Sequence, residues 1–366
     1  MKITHVDIHL LEKKLNYQMN ISRGGFSIRR HAIVQIHTDE GIMGFGEGIG
    51  DAQKITLLLQ SSLSKSLIGK NPLNINLILS DLTKNNVYFE AMGSFMSALS
   101  AIEMACIDIK AKYANLSICD LLGGKCHEKF EVYASDVYWE RDGDKMAENA
   151  LRIKKLGIGA IKIHIGVESP SLEFEKIKKI REAIGYDTKL MLDLNAGYSL
   201  PQAIEAFRIW RDFEPYWIEE PLLPGETAAL KILSNTSDIM IAQGENIVGL
   251  SSFKDVLDSE STHVLMPDIG RVGGINEAVK IFNLASSYGV SVSPHNFSSG
   301  ILLNFTIQLM ASQKNSFLLE IDTSGNAVYE EFLVKPISIE NGELNVSNVV
   351  MDIDRLEEVI NRYKVN

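Results

Sequence analysis

From about residue 126 onward the chain repeats one unit, a short apolar strand, a turn and an amphipathic helix, until eight strands have been laid down. The strands fall at 130–137, 160–165, 189–194, 216–219, 239–244, 263–267, 290–294 and 316–321. Segments such as "GDKMAENALRIKKLG" and "GINEAVKIFNLASSYG" carry helical spacing between them. Eight parallel strands with intervening helices are the arithmetic of a TIM barrel, an α/β fold.

The first 125 residues obey a different rule. "HAIVQIHTDEGIMGFGE" alternates with period two and reads as two strands joined at a tight Asp39-Glu40-Gly41 turn. From about Asp51 the spacing turns helical, with Ala98, Ile102, Ala105 and Ile109 on one stripe. The expected organisation is therefore an α+β domain over 1–125, a barrel over 126–327, and a segment over 328–366 that packs back on the first region and completes it.

A net charge of −11 with no basic tract argues against a nucleic-acid partner. "MKITHVDIHLLEKKL" lacks the apolar core and cleavage site of a signal peptide, and no apolar run is long enough to span a bilayer. Cys106, Cys119 and Cys126 are odd in number and show no CxxC spacing, so three free thiols, no membrane partner and a cytoplasmic location are expected.

In a TIM barrel, polar residues at the carboxyl ends of the strands are the candidates for chemistry. The stretch "AIKIHIG" sends Ile161, Ile163 and Ile165 to one face and Lys162 and His164 to the other. The third strand ends with Asp193 and Asn195, the fourth with Glu219 and Glu220, the fifth with Glu245, the sixth with Asp268, the seventh with His295 and the eighth with Glu320. Asp193, Glu219 and Glu245 are spaced by 26 residues each time, one βα unit, so they should converge from adjacent strands. Each carboxylate alone reads equally well as a helix N-cap. Three in register repel one another unless a cation sits between them, and hard oxygen ligands suit Mg²⁺ better than zinc.

Lys162 and His164 lie on one side of that cluster and His295 on the other, with Asp268 one strand earlier at the height needed to orient the imidazole. A lone histidine is more often structural, and Lys162 also reads as a salt-bridge partner of the same carboxylates. Taken together, a cation flanked by bases suits removal of a proton from carbon next to a carboxylate.

At these residues the chain resembles the enolase superfamily, and within it the mandelate racemase subgroup. The likeness covers nearly the whole chain, including "TDEGIMGFGE" and "SALSAIEMACIDIKAKYANLSICDLLGG" in the region that resembles the family's capping domain. The resemblance implies a modified (β/α)₇β barrel whose last helix is displaced. It implies Asp193, Glu219 and Glu245 as Mg²⁺ ligands, His295 and Asp268 as a dyad on one face of the substrate, and Glu320 as a neutral or proton-sharing group at the substrate carboxylate. Lys or His bases with Mg²⁺ are a general property of such sites. Many members carry Lys-x-Lys on the second strand where this chain has Lys162-x-His164. His164 is therefore read as a second base or as a contact to a substrate hydroxyl.

The resulting expectation is a lyase that dehydrates an acid sugar, an aldonate or aldarate, to a 2-keto-3-deoxy acid. A racemase or epimerase using the same bases is the alternative, and a non-catalytic metal and carboxylate binder is the reading from another class. The partner expected is a small-molecule carboxylate, with the chain as a homo-oligomer. "NYQMNISRGGFSIRR", residues 16–30, reads equally as an ordinary surface loop or as a mobile loop closing over the site, in the latter case with Gly24 and Gly25 as hinges and Arg23 and Phe26 as substrate contacts. Asn195 and Tyr138 are expected as further substrate contacts, with Trp139 beside Tyr138 reading equally as part of an aromatic wall or as plain packing.

Overall fold

A computed structural model describes residues 1–84, 92–325 and 327–365. The chain opens with an antiparallel meander of β1 (Ile3–Ile21), β2 (Gly24–Thr38) and β3 (Met43–Gly48), followed by the helices α1 (Ala52–Leu58), α2 (Ile75–Lys84), α3 (Ser94–Ala114) and α4 (Ile118–Leu121). The turn between β2 and β3 is the one expected, with Gly41 at φ 76°. On β3, Gly44, Gly46 and Gly48 lie against the carbonyls of Ala105, Ala101 and Ser97, spaced four residues apart along α3. A Cβ on any of the three would meet that carbonyl, so the strand crosses the helix backbone to backbone.

Residues 16–30 are not a loop. They form the end of β1, a turn at Ser22 and Arg23, and the start of β2, with Met19 opposite Phe26 and Asn20 opposite Gly25. The reason was present in the alternation of Met19 and Ile21 with Phe26 and Ile28 around a Gly-Gly pair, a hairpin pattern. Gly24 and Gly25 are hairpin residues rather than hinges: Gly24 has φ +129°, and a side chain on Gly25 would collide with Gln18 and Asn20.

The second region lays down β4 (Lys129–Val137), α5 (Gly143–Lys155), β5 (Ala160–His164), α6 (Pro170–Ile184), β6 (Lys189–Asp193), α7 (Leu200–Trp210), β7 (Trp217–Glu219), α8 (Thr227–Ser234), β8 (Met240–Gln243), α9 (Leu250–Asp258), β9 (Val264–Leu265), α10 (Ile275–Ser287), β10 (Ser291–Val292), α11 (Gly300–Ser312) and β11 (Leu319–Ile321). Strands β4 to β10 pair in parallel in chain order. The ring closes because β11 pairs with β4, while a bridge from Val292 to Ser316 holds the approach to β11 against β10. This is a (β/α)₇β barrel. Pairing covers fewer residues than the sequence suggests at β9 and β10, where the strand ends peel away into the loops that carry Asp268 and His295.

Alternation along the strands sorts the side chains. Ile161, Ile163 and Ile165 enter the apolar layer shared with the helices, while the barrel floor is filled by Tyr133, Met191, Trp217, Val264, Met266 and Leu318. Tyr133 meets Trp217 edge to face at 5.4 Å. Above that floor the interior turns polar.

After β11 the chain leaves through α12 (Ala327–Glu330). A hairpin of β12 (Ile339–Glu340) and β13 (Glu343–Asn345) follows, in which β13 pairs with the start of β4. Helix α13 (Ile353–Tyr363) then returns to the first region, where Lys364 bridges Leu11 and the Val365 amide donates to the Leu10 carbonyl. Two buried carboxylates tie the first region to the barrel by capping helix starts: Glu103 accepts from the amides of Ile275 and Asn276, and Glu47 from those of Ser299 and Leu302. All three cysteines are free. Among the described residues no helix is long and apolar enough to cross a membrane.

Candidate active site

A cavity of about 450 Å³ lies between the cap and the carboxyl ends of the barrel strands. Lys162, His164, Asp193, Asn195, Glu245, His295 and Glu320 line it from the barrel. The sheet register explains their meeting, since His164 stands opposite Asp193 and Asp193 opposite Glu219 on neighbouring strands. Glu245 follows Gly244, whose φ of +147° turns the chain off β8.

Lys162 is the hub. Its ammonium lies 2.8 Å from Glu219 Oε1, 3.0 Å from Glu320 Oε1 and 3.5 Å from Asp193 Oδ2, with only 1% of the residue exposed. Burial works against its charge, but Glu219, Glu320, Tyr133 and Asp193 prevail and raise it well above the usual lysine range. Glu320 shows the reciprocal effect: burial raises it, while Lys162 and then His295 hold it at about 2. Its Oε2 also accepts from the Asn296 amide at 2.8 Å.

His295 Nδ1 is 2.7 Å from Asp268 Oδ2, and the other Asp268 oxygen accepts from the Gly270 amide at 2.8 Å. That second bond fixes the carboxylate, which fixes the ring. His295 Nε2 is 2.8 Å from Glu245 Oε2. Burial lowers the imidazole's affinity for a proton, but Glu245, Glu320 and Asp268 together raise it well above the histidine range.

His164 has both ring nitrogens engaged. Nε2 is 3.1 Å from the Ser135 carbonyl, which only accepts, so Nε2 carries a proton. Nδ1 is 3.0 Å from Asn195 Oδ1 and 3.3 Å from Asp193 Oδ2. The ring lies flat on Tyr138, with centroids 4.7 Å apart and planes 6° from parallel. Asn195, at φ 42°, also donates from Nδ2 to Asp193 Oδ2 at 3.1 Å.

Asp193, Glu219 and Glu245 come from consecutive strands as the 26-residue spacing predicts, but their side chains do not close on one point. Among the described residues no three carboxylate or imidazole groups form a finished ligand set. Lys162 engages Asp193 and Glu219, and His295 engages Glu245. The donor chemistry nevertheless fits a hard divalent cation. Asp193, Glu219, Glu220, Glu245, Asp268 and Glu320 are all at most 9% exposed, and Lys162 is the one buried lysine among them. Burial, then Glu245 and Asp193, push Glu220 up to about 8, a sign of negative charge in excess of its partners.

The cap supplies the opposite wall. Phe26 and Tyr138 line the cavity with Phe297, the three rings meeting edge to face at 6.0 to 6.3 Å. Arg23, expected as a substrate contact, does not line it. Its guanidinium donates to the carbonyls of Asn195 at 3.1 Å and Ala196 at 2.5 Å, pinning the hairpin turn to the barrel. Trp139 is likewise no wall, because its indole N–H donates to Glu173 at 3.0 Å. Sequence reasoning missed Arg29, His31 and Phe297, which line the cavity. Arg29 and His31 sit on one face of β2 and are buried, whereas Arg30 between them is exposed, a period-two signal hidden once 16–30 is read as a loop.

Residues 5–123 match the family model for the mandelate racemase/muconate lactonizing enzyme N-terminal domain, and 145–349 that for the enolase C-terminal domain-like family. The chain is 31% identical over 357 residues to D-galactarolactone cycloisomerase of Agrobacterium fabrum, covering 94% of each. It is 29% identical to an N-succinyl-L-Arg/Lys racemase of Bacillus cereus over 79% of this chain and 78% of that one. It is 27% identical to a D-xylonate dehydratase of Haloferax volcanii over 89% and 84% respectively. The crystal structure of 3,6-anhydro-D-galactonate cycloisomerase from Zobellia galactanivorans superposes with a TM-score of 0.90 at 30% identity, covering all of both chains. With both halves matched and the fold shared along its whole length, this chain is a member of the mandelate racemase/muconate lactonizing enzyme family of the enolase superfamily.

Proposed function

We propose that this protein is a Mg²⁺-dependent lyase that removes the proton α to a carboxylate of an acid sugar and eliminates the β-oxygen, giving a 2-keto-3-deoxy acid. The observation that carries the choice is an asymmetry between the two sides of the cavity. His295 has a dedicated orienting carboxylate and faces the site. On the other side, Lys162 is tied to three carboxylates and His164 has both nitrogens occupied. Inverting a stereocentre needs a proton carrier on each face; elimination needs one.

Asp193, Glu219 and Glu245 would hold the cation, which supplies charge stabilisation for the enediolate when bound. Lys162 adds a fixed positive charge on the same side, and its three ion pairs keep it from moving. His295 takes the α-proton, the Cα–H electrons form the Cα–Cβ double bond, and the Cβ–O bond breaks. Asp268 stabilises the imidazolium so formed, which returns its proton to the departing oxygen. Water leaves, and the enol becomes the 2-keto acid. For His295 to act as a base it must first be neutral, so Glu245, the carboxylate that most favours its protonated form, would have to leave Nε2 for the cation and expose Nε2 to substrate.

Dehydratases among the relatives support this reading. The cycloisomerase likeness at about 30% identity favours a second one, in which the leaving oxygen belongs to a ring and remains attached to the product. Epimerisation is the alternative that the asymmetry disfavours. Incubating the protein and Mg²⁺ with a library of aldonates, aldarates and their lactones, and trapping 2-keto products with a carbonyl reagent, tests the lyase; a library converted only to stereoisomers would refute it.

A further inference from the structure

The end of the cap sheet remote from the hairpin turn carries a cluster that the mechanism above leaves unused. In "HVDIH", residues 5–9 of β1, the two-residue repeat of a strand puts His5, Asp7 and His9 on one face. The sheet register places His37 of β2 directly opposite His5. His5 Nε2 lies 3.0 Å from Asp7 Oδ1, and His37 Nε2 lies 2.9 Å from Asp7 Oδ2. The centroids of the two imidazole rings are 5.7 Å apart. His9 is engaged elsewhere, its Nε2 3.2 Å from Gln35 Oε1.

Two imidazoles thus share one carboxylate, and water reaches all three: the side chains of His5, Asp7 and His37 are 66%, 40% and 27% exposed. Contacts this exposed contribute little to the stability of the fold. A carboxylate only accepts hydrogen bonds, so both Nε2 atoms carry protons, and the three groups as they stand are not a finished ligand set. A neutral imidazole moves that proton to Nδ1 by changing tautomer, which frees the Nε2 lone pair with no net loss of a proton. Two imidazoles bound at about 2.0–2.1 Å to one tetrahedral ion have centroids roughly 5 Å apart. The spacing already present is close to that.

We propose that His5, Asp7 and His37 bind a divalent transition metal of the zinc class, with water as the fourth ligand, clamping the start of β1 to the end of β2. Two imidazole nitrogens and one carboxylate oxygen match the ligand preference of Zn²⁺, whereas Mg²⁺ favours oxygen ligands in octahedral geometry. The cap cluster and the barrel carboxylates therefore select different ions. A net charge of −11 on the chain also favours a dication at the surface. The clamp has a structural use: β1 is an edge strand, and the site adjoins the register shift between Ile3 and His5, where its ladder with β2 is interrupted.

The test is calorimetric titration of the chelator-treated protein with Zn²⁺ in saturating Mg²⁺, for wild type, His5→Gln, His37→Gln and the double variant. Glutamine keeps a donor for Asp7 and removes the imidazole nitrogen. The expected result is that wild type binds one Zn²⁺ more than the double variant, and that Zn²⁺ raises the Tm of wild type further than that of the double variant. Each single variant should weaken the extra binding event by about a hundredfold or more, since losing even an outer partner of a metal ligand costs about 10–100-fold. Either single variant suffices should the other fail to fold. Equal zinc stoichiometry and affinity in wild type and double variant, a folded single variant that binds as wild type does, or loss of the extra event in saturating Mg²⁺ would overturn the proposal. No substrate enters the experiment, so its failure leaves the lyase reading where it stands.

Discussion

Asp268 Oδ2 holds His295 Nδ1 at 2.7 Å while Asp268 Oδ1 is held by the Gly270 amide at 2.8 Å, so the ring's orientation is set two bonds deep in the barrel rim. Asp268→Asn preserves the shape and removes the charge that stabilises an imidazolium. We expect kcat on the protein's substrate to fall by about 10²–10⁴ with KM nearly unchanged. His295→Asn should lose at least as much. Steady-state kinetics of both variants, with circular dichroism to verify folding, check this.

The carboxylate cluster predicts a metal effect on stability that does not depend on turnover. A cation that binds only the folded protein raises its stability by about 2.7 kcal/mol at a hundredfold excess over its dissociation constant. Mg²⁺ added to chelator-treated protein should therefore raise Tm, and Asp193→Asn, Glu219→Gln and Glu245→Gln should each shrink that increment. An increment unchanged in all three would place the cation elsewhere. Thermal scans with and without Mg²⁺ decide.

His164 is expected to be a positioning residue. With Nε2 donating to the Ser135 carbonyl and the ring flat on Tyr138, it has no nitrogen free for the α-proton. His164→Asn should lower kcat/KM by about tenfold or less while leaving the limbs of the kcat–pH profile where they are. If His164 were the base on the second face, His295→Asn would still exchange the α-proton; proton NMR in D₂O should find no such exchange.

Glu103 links cap and barrel and gives a pH prediction away from the site. Burial raises it from 4.5 to about 7, against the lowering effect of the Ile275 and Asn276 amides. Its folded pKa lies above its unfolded value, so the folded state binds the extra proton. That contribution is full below about pH 4.5 and is lost as pH rises through 7, a change of order 3 kcal/mol. Glu103→Gln should flatten the decline of stability between pH 5 and 8 relative to wild type. Urea melts across that window measure it, and equal slopes in the two proteins would contradict it.

Much of this was legible in the chain because strand periodicity leaves few choices. Ile161, Ile163 and Ile165 had to face the helices, so Lys162 and His164 had to face the barrel interior. A 26-residue spacing puts Asp193, Glu219 and Glu245 on consecutive strands whatever the loops do. Side-chain pairing was not legible, since which carboxylate takes Lys162 or His295 depends on distances of a few tenths of an ångström. Over 16–30 the Gly24-Gly25 pair reads as a hinge, whereas in the structure both glycines sit in β2 directly after the Ser22-Arg23 turn of a hairpin. A loop reading of that stretch hides the period-two burial of Arg29 and His31 on one face of β2. Arg23 spends its donors on the barrel carbonyls of Asn195 and Ala196 rather than on the cavity.

The most direct test of the central claim is the fate of the α-proton when the protein turns over its acid-sugar substrate with Mg²⁺ in D₂O, followed by NMR. A single proton carrier driving elimination predicts a 2-keto-3-deoxy acid bearing deuterium at C3, with recovered substrate of unchanged configuration at Cα. Recovered substrate that is inverted and deuterated at Cα, with no keto acid formed, would mean that the cavity has a working base on each face.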